Sequence, residues 1–342
     1  MSTNAAEMEP VAVAQEPGVV SMQSGRSSAV GHVWPYAVLI ALAVAIYFLF
    51  PDQLSLAARI AAMAIFVMSL DLIVGYGGLA TLGHSALYGV GAYAAGLMAA
   101  HLWGDPLIGL VVGAAAGAAL AALSGLFLMR YQGFTFLMLT IAVSQIAQNL
   151  ASKLRKITGG EDGLSGYTMG KLLGLASFDL QGRVAFIYCV SVMIFCLWAM
   201  RRLMGSPFGL ACVGIHQNRL RMAALGSSVR VQLLKLYALS GLFAGIAGAL
   251  SAQVNQIVGL DTLGFDLSAE ALVMLVLGGA GNLFGAIAGT AVFMTIHHIA
   301  SAINPYHWLF IIGGMLVVVV LMPRERWSAA IRRRLAFVTY RT

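Results

Sequence analysis

The side chains able to do chemistry are few, and most sit in apolar surroundings. Asp71 is an acid deep inside a clear apolar run, residues 57–76. A charge held in lipid costs at least about 2.5–3.5 kcal/mol on insertion scales, so such an acid either serves function or is held by a hydrogen bond from a neighbouring helix. Glu270 stands at the start of another apolar stretch, where an acid complements a helix N-terminus. Thr81, His84, Thr140, Ser144, Gln145 and Gln148 are polar groups in or beside apolar runs, suited to lining a pathway or to bonding one helix to the next. Gln145 and Gln148 are one helical step apart and share a face. Cys189 and Cys196 lie in one apolar run and Cys212 in a basic loop, a placement of buried small hydrophobes rather than of a disulfide frame or metal site.

Enzymatic chemistry needs groups that converge, and no such pattern is written here. The Gly-x-x-x-x-Gly-Lys-[Ser/Thr] phosphate loop is absent, so ATP is not bound by that route. Neither a His-Glu-x-x-His helix nor a Gly-x-Ser-x-Gly elbow occurs. His297 and His298 are adjacent, and on a helix they point apart. The expectation is a chain that is not an enzyme and binds neither cofactor nor metal.

The elements that carry these residues belong to a membrane protein. Of 342 residues, 60% are hydrophobic and only 10% charged, against roughly 25% charged in soluble domains. Several apolar runs exceed the roughly 18 residues of a bilayer-spanning helix. The net charge of +7 does not imply nucleic acid. The cations lie in loops and in a basic cytoplasmic tail, 323–342, with Arg324, Arg326, Arg332, Arg333, Arg334 and Arg341. That is the positive-inside bias, with anionic lipid headgroups as the partner. Residues 1–33 lack periodicity and a basic start before an apolar core, so a disordered cytoplasmic tail is expected rather than a signal peptide.

Within 34–322, apolar runs at 34–50, 57–76, 82–102, 106–129, 134–150, 184–200, 236–254 and 308–322 predict about eight full spans. The stretch 269–300 is about 48 Å as one helix, too long for a core of roughly 30 Å. Breaking it at 278–282, around Gly278 and Gly279, gives a helical hairpin and an all-α polytopic bundle of about ten membrane segments. Gly109, Gly113 and Gly117 form one small-residue row, Gly281, Gly285 and Gly289 a second, and Gly241, Gly245 and Gly248 share a face. Such rows let helices approach closely.

Residues 201–235 interrupt this pattern. The segment carries Arg201, Arg202, Arg219, Arg221, Arg230 and Lys235 and no acid. With its Ser-Pro-Phe-Gly turn it predicts a cytoplasmic docking surface. If this segment and the C-terminal tail are both cytoplasmic, the hairpin satisfies the parity of crossings, and 152–183 lies outside.

Four separated motifs resemble the permease subunits of ABC importers for branched-chain amino acids, the LivM-like branch. They are GYGGLATLGHSALYGVGAY at 75–93, RYQGFTFLMLT at 130–140 with TGGEDGLSG at 158–166, SPFG at 206–209 with AALG at 223–226, and LGGAG at 277–281. The resemblance implies a passive subunit of the bacterial inner membrane. Its partners would be a second related permease, two cytoplasmic ATPases that bind ATP and Mg, and a periplasmic substrate-binding protein. It further implies a coupling helix within 206–226, carried by Ser206, Pro207, Phe208, Gly209, Ile215, His216, Ala223, Ala224 and Gly226. Asp71, Thr81, His84, Thr140, Gln145, Gly278 and Gly279 are the expected pathway residues. Gly214, Ile215, His216 and Gln217 stand where the family commonly reads Ala-Ile-Arg-Glu, and Asp71 where Asn is usual. The expected cargo is a branched-chain amino acid or a related small polar or carboxylate compound. An ion-coupled secondary carrier is the rival, since broken helices mark that class too.

Overall fold

A computed structural model describes residues 29–101, 104–167, 169–170, 182–303 and 313–314. The expected last span at 308–322 and both tails therefore fall largely or wholly outside the described residues. Contacts divide the chain into residues 1–42 and 43–342. The first unit contributes the beginning of α1 (Ala29–Leu49), an apolar helix.

Among the described residues of the second unit the regular elements are helices, joined by irregular segments with one isolated bridge. Its elements are α2 (Leu54–Asp71), α3 (Ser85–His101), α4 (Pro106–Leu128), α5 (Gly133–Lys153), the short α6 (Arg155–Thr158), α7 (Arg183–Met204), α8 (Pro207–Gln217), α9 (Arg219–Ala224), α10 (Val229–Asn255), α11 (Phe265–Gly278) and α12 (Leu283–Ile303). Among the described residues 6 helices are long and apolar enough to cross a membrane. The expected third span is shorter than its apolar run. Helix α3 begins only at Ser85, because residues 77–84 leave helical geometry for an irregular stretch with Gly78 at φ +66°.

The centre is α10 against α3 and α4, and glycine makes that contact possible. A Cβ on Gly245 would strike the Gly113 carbonyl, and one on Gly117 the Gly241 carbonyl. On the other side Gly248 lies against the Tyr88 carbonyl and Gly91 against Gly245. The row at Gly109, Gly113 and Gly117 and the face carrying Gly241 and Gly245 are thus two sides of one seam, held by backbone proximity and dispersion rather than by side-chain burial.

The expected break at 278–282 is present. Helix α11 has 14 residues, about 21 Å and short for a span, whereas α12 at full length approaches 30 Å. They pack through Gly278 on the Gly285 carbonyl and Gly289 on the Met274 carbonyl. Gly281 departs from its expected row: it sits in the turn at φ +82° with nothing near its missing Cβ. Glu270 departs too. Helix α11 starts at Phe265, so Asp266 is the acid of its first turn and Glu270 lies inside the helix.

At the C-terminal end of α10, two irregular segments join. Leu164 and Val258 exchange backbone hydrogen bonds of 2.9 Å in each direction, and Tyr167 donates its hydroxyl to the Ala252 carbonyl at 2.9 Å. The TGGEDGLSG motif needs its glycines here, because Gly163 (φ +73°) leaves no space for a Cβ beside the Val258 carbonyl.

Candidate functional site

Helices α8 and α9 form a small helical knob between the C-terminus of α7 and the N-terminus of α10. Its boundaries follow from local chemistry. Ser206 caps α8 by accepting from the Gly209 amide at 3.5 Å, with Pro207 at the first helical position. Asn218 caps α9, accepting from the Arg221 amide at 2.9 Å, and Gly226 at φ +83° ends the unit. Helix α7 runs to Met204 and α10 starts at Val229, so Arg201, Arg202, Arg230 and Lys235 ride on long helices rather than on the knob.

One face of the knob is buried and the other bare. Gly209, Cys212 and Ile215 face inward, with Gly209 seated on the Met204 backbone. Burial pushes the Cys212 thiol up to about 11. Outward stand Leu210 (58% exposed), Leu220 (85%) and Leu225 (75%), with Pro207, Ala223 and Ala224 also exposed and Phe208 half-buried. Burying exposed leucines is worth roughly 1.5–3 kcal/mol each, so this surface favours an occupant.

A chain of short contacts leads from the knob into the bundle. His216 donates from Nδ1 to the Gly75 carbonyl at 3.0 Å; since that oxygen only accepts, Nδ1 carries the proton. The His216 ring also fills the space a Cβ on Gly78 would need. Gly75 in turn has no room for a Cβ, because Asp71 Oδ1 and the Gly281 amide occupy it. Asp71, fully buried, accepts from the Gly281 amide at 2.6 Å. A carboxylate on a backbone donor makes a short, strong hydrogen bond. Asp71 therefore ties the end of α2 to the α11–α12 turn that Gly278 and Gly279 shape, Gly279 at φ +92°. The Arg201 guanidinium lies 4.8 Å above the Phe284 ring, so α7 reaches the same turn.

The other polar candidates form two further groups. His84 Nε2 is 2.9 Å from Ser69 Oγ and 3.4 Å from Ser240 Oγ. Both hydroxyls already donate, Ser69 to the Phe66 carbonyl at 2.7 Å and Ser240 to the Ser69 carbonyl at 2.6 Å. Nε2 must then be the donor, and Nδ1 is a buried acceptor with no partner among the described residues. Thr81 and Thr140 meet through the strand of residues between α2 and α3. Thr140 Oγ1 accepts from the Leu82 amide at 3.3 Å, Thr81 Oγ1 from the Gly83 amide at 3.4 Å, and Gly83 presses on the Thr140 carbonyl. Gln145 joins neither group: it is exposed, whereas Gln148 reaches the Leu260 carbonyl at 3.4 Å.

One residue that the motifs alone do not expose is Arg59, a lone cation in the apolar run of α2. It borders a cavity of about 150 Å³ with Tyr88, Ser251 and Asn255. The available signal was a charge inside a span.

The chain matches the family described as "Branched-chain amino acid transport system / permease component" over residues 53–320. It is 28% identical to the high-affinity branched-chain amino acid transport system permease protein LivM of Escherichia coli (strain K12), covering 75% of this chain and 65% of that protein. It is also 28% identical to the galactose/methyl galactoside import permease protein MglC of Salmonella typhimurium, covering 50% and 52%. To the D-allose transport system permease protein AlsC of Escherichia coli it is 24% identical, covering 76% and 77%. The chain thus spans a little under two thirds of the LivM protein's length. No solved structure matches it.

Proposed function

The chain belongs to the branched-chain amino acid transport system / permease component family, and from that premise we propose that it is the membrane-spanning permease subunit of an ATP-driven importer. In this reading separate cytoplasmic ATPases seat α8 and α9 in a groove, a second permease completes the pathway, and a binding protein delivers cargo at the far end of α10. The cargo is a branched-chain amino acid or a related small polar or carboxylate compound. Sugar permeases among the relatives bear on the cargo and leave the importer class untouched.

The observation that carries the reading is the two-sided knob. Its inner face is locked on α7 and, through His216, on Gly75, while its outer face presents leucines and alanines without an acid. A partner that moves the knob pulls on the Gly75–Gly78 segment directly, and that segment abuts the Asp71–Gly281 tie. Movement at the docking surface is thereby passed to both broken elements of the bundle, as alternating access requires.

The test is co-purification of the full chain with its ATPases from solubilised membranes, followed by uptake into proteoliposomes. Uptake that needs ATP and is blocked by vanadate supports the reading. Uptake that collapses with an ionophore yet ignores ATP depletion would identify an ion-coupled carrier instead.

A further inference from the structure

Arg59 is an uncomfortable residue for a helix that crosses a membrane. It lies in the candidate span Pro51–Tyr76, about 8 Å into α2, it is exposed, and it forms no ion pair among the described residues. A charged side chain at such a depth belongs against water, a partner or a ligand, since lipid solvates it poorly. Around it the fold has gathered groups that suit a ligand. Tyr88, Ser251 and Asn255 line the same cavity, and Asn255 Nδ2 donates to Ser251 Oγ at 3.1 Å. Met63 and Met294 supply an apolar wall. The volume, about 150 Å³, is an order of magnitude above the roughly 10–15 Å³ one water needs, so it suits a small solute.

We propose that this cavity is a carboxylate-binding station for a small aliphatic solute, with the Arg59 guanidinium as its anchor. The planar fork of arginine pairs with both oxygens of a carboxylate, which a neutral sugar does not offer. Tyr88, Ser251 and Asn255 hold the remaining polar atoms, and the methionines accept a branched apolar tail of variable shape. The station lies at the end of α10 remote from α8 and α9, where cargo would enter. This deepens the importer reading and rests on it, by giving this chain a residue that separates amino-acid cargo from sugar cargo.

The test exploits the burial of Cys189, Cys196 and Cys212, which keeps background thiol reactivity low. Ser251→Cys is placed in the full chain, in native membranes with its partners, and labelled by an anionic and a cationic methanethiosulfonate. The anionic reagent is expected to react several-fold faster, Arg59→Gln to abolish that preference, and millimolar L-leucine, but not glucose, to slow the reaction. Asn255→Cys repeats the measurement if Ser251→Cys is not made. Labelling by a lipid-permeant maleimide alone would show that Arg59 faces lipid phosphates and would overturn the station. Equal rates for both charged reagents, or protection by glucose alone, would overturn it too. The labelling needs no transport, so a charge preference with leucine protection but no ATP-driven uptake would sink the importer reading and leave the station standing.

Discussion

His216 and Gly75 meet at 3.0 Å across 141 positions of sequence, the imidazole Nδ1 donating to a carbonyl at the end of the second span. The contact joins the knob to the bundle at a place where the backbone has no slack. Gly78 is at φ +66° beneath the same ring, and Gly75 is wedged against Asp71 and Gly281. His216→Ala removes a hydrogen bond worth about 0.5–1.5 kcal/mol at a partly solvated site. The expected result is a lower ratio of solute imported to ATP hydrolysed, with little change in thermal stability. An unchanged ratio would remove His216 from the coupling path.

Asp71 serves as an acceptor for the Gly281 amide, and an asparagine oxygen can accept in the same place. Asp71→Asn is expected to keep both transport and melting temperature. Asp71→Ala leaves that amide without its acceptor and should cost about 1.5–3 kcal/mol, seen as an earlier unfolding transition in detergent. Transport lost in Asp71→Asn at unchanged stability would instead place the charge itself in the pathway.

Two glycines with different reasons for being glycine should respond differently. Gly245→Ala inserts a methyl group against the Gly113 carbonyl, and such overpacking costs about 1–3 kcal/mol or more where backbone cannot yield. Gly281→Ala meets nothing within 4 Å and is strained only by φ +82°, a cost of about 1–2 kcal/mol. Size-exclusion profiles after heating should show Gly245→Ala aggregating at the lower temperature. The reverse order would refute the seam between α4 and α10.

The exposed face of the knob offers cleaner probes than its buried face. Leu220→Asp and Ala224→Trp change side chains directed at solvent, so ATPase should be lost from the purified complex while the chain's own melting temperature holds. Gly209→Val presses on the Met204 backbone and should lower stability together with coupling. ATPase retained at full occupancy in both surface variants would place the docking surface elsewhere.

Cys212 sets a pH limit on the knob. Its thiol is raised by burial from the ordinary value of 9.0 to about 11. The folded state therefore holds the proton more tightly than the unfolded one. The stability this contributes is complete below about pH 9 and is lost as pH rises toward 11. Maleimide should leave Cys212 unmodified at neutral pH in the folded chain and label it rapidly in urea. Fast labelling of the folded chain at neutral pH would mean that the α7–α8 corner opens.

The membrane class, the break at 278–282, the close-packed row at Gly109, Gly113 and Gly117 and the Ser-Pro-Phe-Gly corner at 206–209 were legible in the residues. Each rests on a short-range signal: length of apolar run, glycine spacing, a cap followed by proline. Tertiary structure alone decided which elements those signals join. Asp71 finds its partner 210 positions away, His216 turns inward to Gly75 while the neighbouring leucines turn outward, and Gln145 faces away from the polar groups it resembles. The physical reason is that helices apolar on nearly every side carry no amphipathic stripe to say which face is inward. Arg59 shows the converse. Its charge was plain in the sequence, but only the packing of α2, α3, α10 and α12 gathers Tyr88, Ser251 and Asn255 around the cavity it borders.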